Sequence, residues 1–227
     1  TNKTTLSGKI DESRNVYHVV KGEWGATPAD TRLDGFTITG GDAKGTTFKD
    51  WSGGGMYNEN SSPTVANCTF QSNNATNGGG MYNAYSSPTV TNCTFSGNTA
   101  EQGGGGMINN SSSSPKVENC TFSGNMSNHE GGGICNWDNS SPAVVNCTFS
   151  DNEAFLGGGM INSSSSSPTV TNCTFSGNTA KEGGGICNNY NSSPTVTNCV
   201  FSGNTAEQGG GGMVNNSSSS PTVTNCA

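Results

Sequence analysis

The chain has 227 residues, 29% hydrophobic and 11% charged, with a net charge of −7, and of its nine Lys and Arg residues only Lys116 and Lys181 lie beyond Trp51. That charge distribution excludes nucleic-acid binding, which needs a basic stripe to neutralise phosphates, and no apolar run approaches the ~20 residues of a membrane span. So small an apolar fraction would leave a chain disordered unless a repeat stacks it into a shared core.

Residues 1–52 read as solenoid turns with long loops. Thr5-Leu6-Ser7-Gly8 echoes Thr174-Phe175-Ser176-Gly177, Val16 to Val20 is expected to form an early strand, and Leu33 to Ile38 aligns with the later Val-x-Asn-Cys-x-Phe segments. Residues 53–227 then hold seven repeats of 25 to 27 residues, marked by Cys68, Cys93, Cys120, Cys147, Cys173, Cys199 and Cys226. That period is too short for an independent domain and suits one turn of a solenoid, so the whole chain is expected to be one continuous body.

Each repeat predicts three short strands. The first follows a glycine run and turns Met56, Met81, Met107, Ile134, Met160, Ile186 or Met213 inward; the second carries Val65, Val90, Val117, Val144, Val170, Val196 or Val223. In the third, Cys-x-Phe, the period of two puts Cys68, Cys93, Cys120, Cys147 and Cys173 on one face with Phe70, Phe95, Phe122, Phe149 and Phe175. Three asparagines per repeat, headed by Asn58, Asn67 and Asn73, mark corners, because Asn tolerates left-handed backbone and its amide can bond the amide one turn away. Asn67, Asn92, Asn119, Asn146 and Asn172 form the middle ladder. The expectation is an all-β parallel helix of about nine turns, triangular in section.

The paired signals Gly-Gly-Gly-[Met/Ile] and Phe-x-x-Asn, as in Phe95 to Asn98 and Phe175 to Asn178, resemble the repeats of chlamydial polymorphic outer-membrane proteins and related bacterial surface proteins, within the right-handed parallel β-helices of the pectin-lyase-like superfold. The resemblance covers residues 53–227. It implies right-handed coiling, surface display and adhesion.

Catalysis is not expected. A lyase of this superfold needs carboxylates for Ca²⁺ and a basic residue for the proton, and an inverting hydrolase needs paired carboxylates. The repeat body has no arginine, and Glu118, Asp138, Asp151 and Glu153 fall on different faces. His18 and His129 are expected in solvated loops, and no Cys spacing suits a metal. The cysteine column reads as buried thiols, with Cys135 and Cys187 too far apart to bond each other. No cofactor is expected.

Two surface features carry the functional expectation of a non-catalytic extracellular or cell-surface stalk, adhesin or fibre subunit. Asn60, Asn110, Asn139, Asn191 and Asn216 are glycan-attachment candidates in a Ser-rich loop. Tyr85, Trp137 and Tyr190 recur there every second turn, spaced for stacking on sugar rings, which is the alternative reading as a carbohydrate-binding module. Ice binding is a lesser alternative, on the Thr-Val-Thr strands headed by Thr89 and Thr169, an array broken at Lys116/Glu118 and Ala143/Val145. The final Asn225-Cys226-Ala227 falls in nearly the same angular register as Thr4 to Ser7, which leaves two expectations open: copies that stack head to tail, or a chain that continues past Ala227.

Overall fold

The computed structural model describes residues 4–9, 15–23 and 31–227. All regular structure among these residues is β. Every pairing between the named strands is parallel, and each strand bonds its equivalent one turn away. Three sheets hold eight strands each, close to the nine turns expected.

One turn shows how the sequence builds the coil. Met81–Ala84, Thr89–Thr91 and Thr94–Ser96 form the three expected sides. Met81, Val90 and Phe95 point inward and are fully buried, while Cys93 fills the bend between the second and third sides. Stacked turns extend these residues into one continuous core. The phenylalanine column is the most regular part, with ring centroids 4.6–5.0 Å apart and planes 3–6° from parallel.

The triangle gains a fourth side. Thr99–Gly103 and its equivalents form a seven-stranded sheet after the third asparagine. Its inward positions are Ala75, Ala100, Ser127, Ala154 and Ala180, too small to signal a strand by hydrophobic alternation.

The asparagines divide their duties differently from the expectation. Only the middle set adopts left-handed backbone, with φ near 53° at Asn67, Asn92, Asn119, Asn146 and Asn172. The first set lies inside the methionine strands. The third follows a left-handed residue, Gly97, Gly124 or Gly177 for example, instead of being one. Glycines elsewhere serve close approach: a Cβ on Gly105 would lie 2.5 Å from the Met126 carbonyl oxygen and 2.7 Å from that of Gly132.

The early turns join the same sheets. Leu33 sits opposite Val65 and Ile38 opposite Phe70, as aligned. Leu6 lies opposite Ile38. The methionine strand is continued by Val20–Gly22, with Val20 opposite Met56, so the expected Val16–Val20 strand is displaced toward its C-terminal end.

Candidate functional site

Polar side chains that recur in every turn are the raw material for any site, and most are engaged within the coil. Asn58, Asn83, Asn109, Asn136 and Asn162 are fully buried, each donating its amide to the Oδ1 of the next turn at 2.8–2.9 Å. The third set does more. Asn125 donates to the Phe95 carbonyl and to Asn152 Oδ1, both at 3.0 Å, while its own Oδ1 accepts from the Asn98 backbone N–H at 3.1 Å. These ladders satisfy groups that burial would otherwise leave costly.

The Ser-rich loop is ordered in the same way, which the sequence reading missed by treating it as a variable connection. The backbone N–H of Ser86 donates to Ser113 Oγ and that of Ser113 to Ser140 Oγ, each at 3.0 Å. An outer column runs in the opposite sense, Ser114 N–H to Ser87 Oγ and Ser141 N–H to Ser114 Oγ, both at 2.9 Å. The available signal was the invariant Ser-Ser-Pro of every repeat, Ser86-Ser87-Pro88 and Ser113-Ser114-Pro115 among them.

Along this loop edge the attachment candidates differ in access. Asn139 and Asn191 are exposed, both at φ 60°. Asn60, Asn110 and Asn216 are half-buried, and two of their amides are already used: Asn110 donates to Tyr82 Oη at 3.1 Å and Asn216 to Glu182 Oε2 at 2.9 Å. The middle asparagine ladder, by contrast, is exposed and longer, with Asn146 donating to Asn119 Oδ1 at 3.2 Å.

The three aromatics do not make an even stripe. Tyr85 is 65% exposed and Tyr190 57%, each carried outward on a left-handed residue with φ 50°. Trp137 is half-buried, packed on a second apolar cluster of Tyr57, Tyr82, Ile108, Cys135, Ile161 and Cys187, with its indole N–H donated to the Glu130 carboxylate. Burial there holds the Glu130 carboxyl above its ordinary pKa against the opposing effect of the indole bond.

The cysteine column matches the expectation of buried thiols. All nine cysteines are free. In the column each thiol caps the carbonyl two residues back, as Cys120 Sγ does to Glu118 at 3.2 Å. Cys135 and Cys187 share a register with Ile108 and Ile161, and burial pushes the Cys187 thiol up to about 12.

Charged groups stay scattered. Glu118 pairs with Lys116 at 2.8 Å, Asp151 occupies a left-handed corner, and Glu153 and Asp138 are exposed. Among the described residues no three His, Cys, Asp or Glu side chains converge as metal ligands. His18 departs from the expectation: it is half-buried, stacked 5.1 Å from the Tyr57 ring, bonded to the Gly53 carbonyl at 3.0 Å, and burial lowers its pKa. The fourth sheet adds a shallow groove of about 510 Å³, lined in part by Glu153 and Glu207, where Lys181 Nζ lies 4.7 Å from the Phe155 ring centre.

No helix among the described residues is long and apolar enough to cross a membrane. No curated protein and no solved structure matches the chain. The family model described as a right handed beta helix region matches residues 30–129 and 125–227, the greater part of the sequence. With the parallel coil and its stacked core, that match places the chain in the right-handed β-helix family.

Proposed function

We propose that this protein is a non-catalytic rod, a stalk, adhesin or fibre subunit at the cell surface or outside the cell, whose work is rigid display. The observation that carries the reading is the use of the repeated polar residues. Asparagine and serine columns that could have lined a site bond instead to their own copies in adjacent turns. Such ladders favour stiffness along the coil axis and leave few side chains free to act on a substrate. Pectate lyases and polygalacturonases, which share the superfold that the repeats resemble, set the test: incubation with polygalacturonate, with and without Ca²⁺, is expected to release no product, and turnover that copurifies with the chain would overturn the reading. Head-to-tail stacking belongs to the same proposal. Light scattering should then show mass growing with concentration, whereas a fixed 23.1 kDa species would remove that part of it.

The exposure of Tyr85 and Tyr190 favours a second reading, glycan contact along the loop edge. Binding on a glycan array that falls with Tyr85→Ala or Tyr190→Ala supports it, and unchanged or absent binding removes it. Attachment at Asn139 and Asn191 is checked by the intact mass of the native protein, which would equal the bare 23.1 kDa chain if no sugar were present.

A further inference from the structure

The phenylalanine sheet has an outer face that the repeat alone does not explain. Its strands place one column of Thr5, Thr37, Thr69, Thr94, Thr121, Thr148 and Thr174, ending in Val200. The second column is Ser7, Thr39, Gln71, Ser96, Ser123, Ser150, Ser176 and Ser202. None of these residues is buried. Hydroxyls therefore line both columns for eight turns, broken only by Val200 and Gln71. They persist through the two early turns, where loops and other faces diverge.

A strand does not require this. The equivalent outer pairs on the valine sheet change from Arg32/Asp34 through Thr89/Thr91 to Lys116/Glu118 and Ala143/Val145. Those on the fourth sheet include Met126, Glu153, Phe155 and Lys181. Both sheets vary under the same backbone constraints, so the constancy of the phenylalanine face calls for a cause at its surface.

The same face is also regular. The phenylalanine rings beneath it stack from turn to turn at 4.6–5.0 Å with planes 3–6° from parallel. Pairing from Thr69 to Ser202 runs residue to residue without a bulge, unlike the fourth sheet, whose register shifts between Ala100 and Gly103. The borders are the Asn67 to Asn198 column on one side and glycine-rich corners on the other, with Asp151 the one charge among them. The result is a regular grid about 4.8 Å by 6.7 Å per cell, whose shorter edge is close to the oxygen repeat along the a axis of hexagonal ice.

We infer that the Thr/Ser face of the phenylalanine sheet is an ice-binding surface. Threonine suits the task because its hydroxyl bonds to a lattice water while its methyl group excludes disordered water beside it. The face flagged by the sequence, on the valine sheet, is the poorer candidate, since the Lys116–Glu118 ion pair and Ala143/Val145 cross its middle. This inference stands independently of the display role, and either can fail alone.

The test grows a polycrystalline ice shell slowly from a dilute solution of the whole chain and measures how much protein the ice retains. A parallel experiment follows a seed crystal in the same solution. Wild-type protein is expected to enter the ice and to arrest and facet the crystal. Thr121→Lys with Thr148→Lys should reduce retention at least tenfold, while Thr169→Lys on the valine sheet should not change it. Circular dichroism melts confirm that all three chains are folded. Exclusion of the wild-type protein from ice overturns the inference, as does equal loss in the valine-sheet control. Retention on crystalline cellulose with exclusion from ice would assign the hydroxyl face to a polysaccharide and overturn it equally.

Discussion

Replacing Phe122 with Ala probes the core where it has least freedom to relax. The ring is fully buried between Phe95 at 4.7 Å and Phe149 at 5.0 Å. One wall is backbone: a Cβ placed on Gly106 would sit 2.9 Å from the ring edge. Inter-turn hydrogen bonds fix the spacing of that backbone, so the cavity left by the ring cannot close by moving one turn toward the next. Phe→Ala changes cost about 3–5 kcal/mol, and the loss of two stacking partners adds to the transfer term, so we expect about 4–5 kcal/mol. Phe201 offers an internal control. It is half-buried and stacks on one described neighbour, Phe175, at 5.0 Å, and Phe201→Ala should cost about half as much by the same reasoning. Guanidinium unfolding followed by circular dichroism measures both. A Phe122→Ala cost below about 1 kcal/mol, or equal costs at the two positions, would refute the argument from a column held at fixed spacing.

Three further outcomes follow from the ladders, the satellite cluster and the thiols. Asn125→Leu leaves the Phe95 carbonyl and the Asn98 N–H buried without their partner, and should cost about 2–5 kcal/mol, whereas Asn119→Gly on the exposed left-handed ladder should change stability by a few tenths; equal effects in denaturant titrations would contradict the division between the columns. Because burial raises the Glu130 pKa, the protonated form is favoured in the folded chain, so the contribution of Glu130 to stability should be greatest below the ordinary carboxyl range and fall as pH rises through the raised value; the stability difference between wild type and Glu130→Gln should follow that decline, and parallel melts across pH would show a constant difference if the carboxylate were solvated. Thiol titration with a chromogenic disulfide should find Cys226 at most reactive in the native chain and all nine after denaturation, since the other eight are buried; rapid native labelling of several would place the column outside the core.

The sequence exposed the coil because its large inward residues repeat in fixed order: Met81, Val90 and Phe95 occupy the sides assigned to them, while Cys93, expected on the third side, is buried in the bend just before it. The fourth sheet was hidden because Ala100 and its equivalents give an alternation too weak to distinguish strand from loop. Asparagine alone signalled a ladder but not its geometry. Asn67 and Asn58 look alike in the sequence, yet one is an exposed left-handed corner and the other a buried strand residue, a difference set by which side of the bend each occupies. Trp137 failed as a member of an exposed stripe for a similar reason, since it packs on a cluster that joins Cys135 of its own turn to Ile108 and Ile161 of the adjacent turns. The hydroxyl face required the strand register, which shows that Thr5 and Thr37 stand in line with Thr121 across loops of unequal length.

Side-chain hydrogen exchange tests most directly whether the repeated polar residues are committed to holding turns together. The amide protons of Asn83, Asn109 and Asn136 in the first column, and of Asn98, Asn125 and Asn152 in the third, are buried and bonded from turn to turn. Followed by NMR in the native chain, they should exchange as slowly as the backbone of the phenylalanine strands, while Asn92, Asn119 and Asn146 on the exposed ladder exchange near the rate of free amides. Equal, fast exchange in all three columns would contradict the commitment of these residues to structure and reopen them as a site.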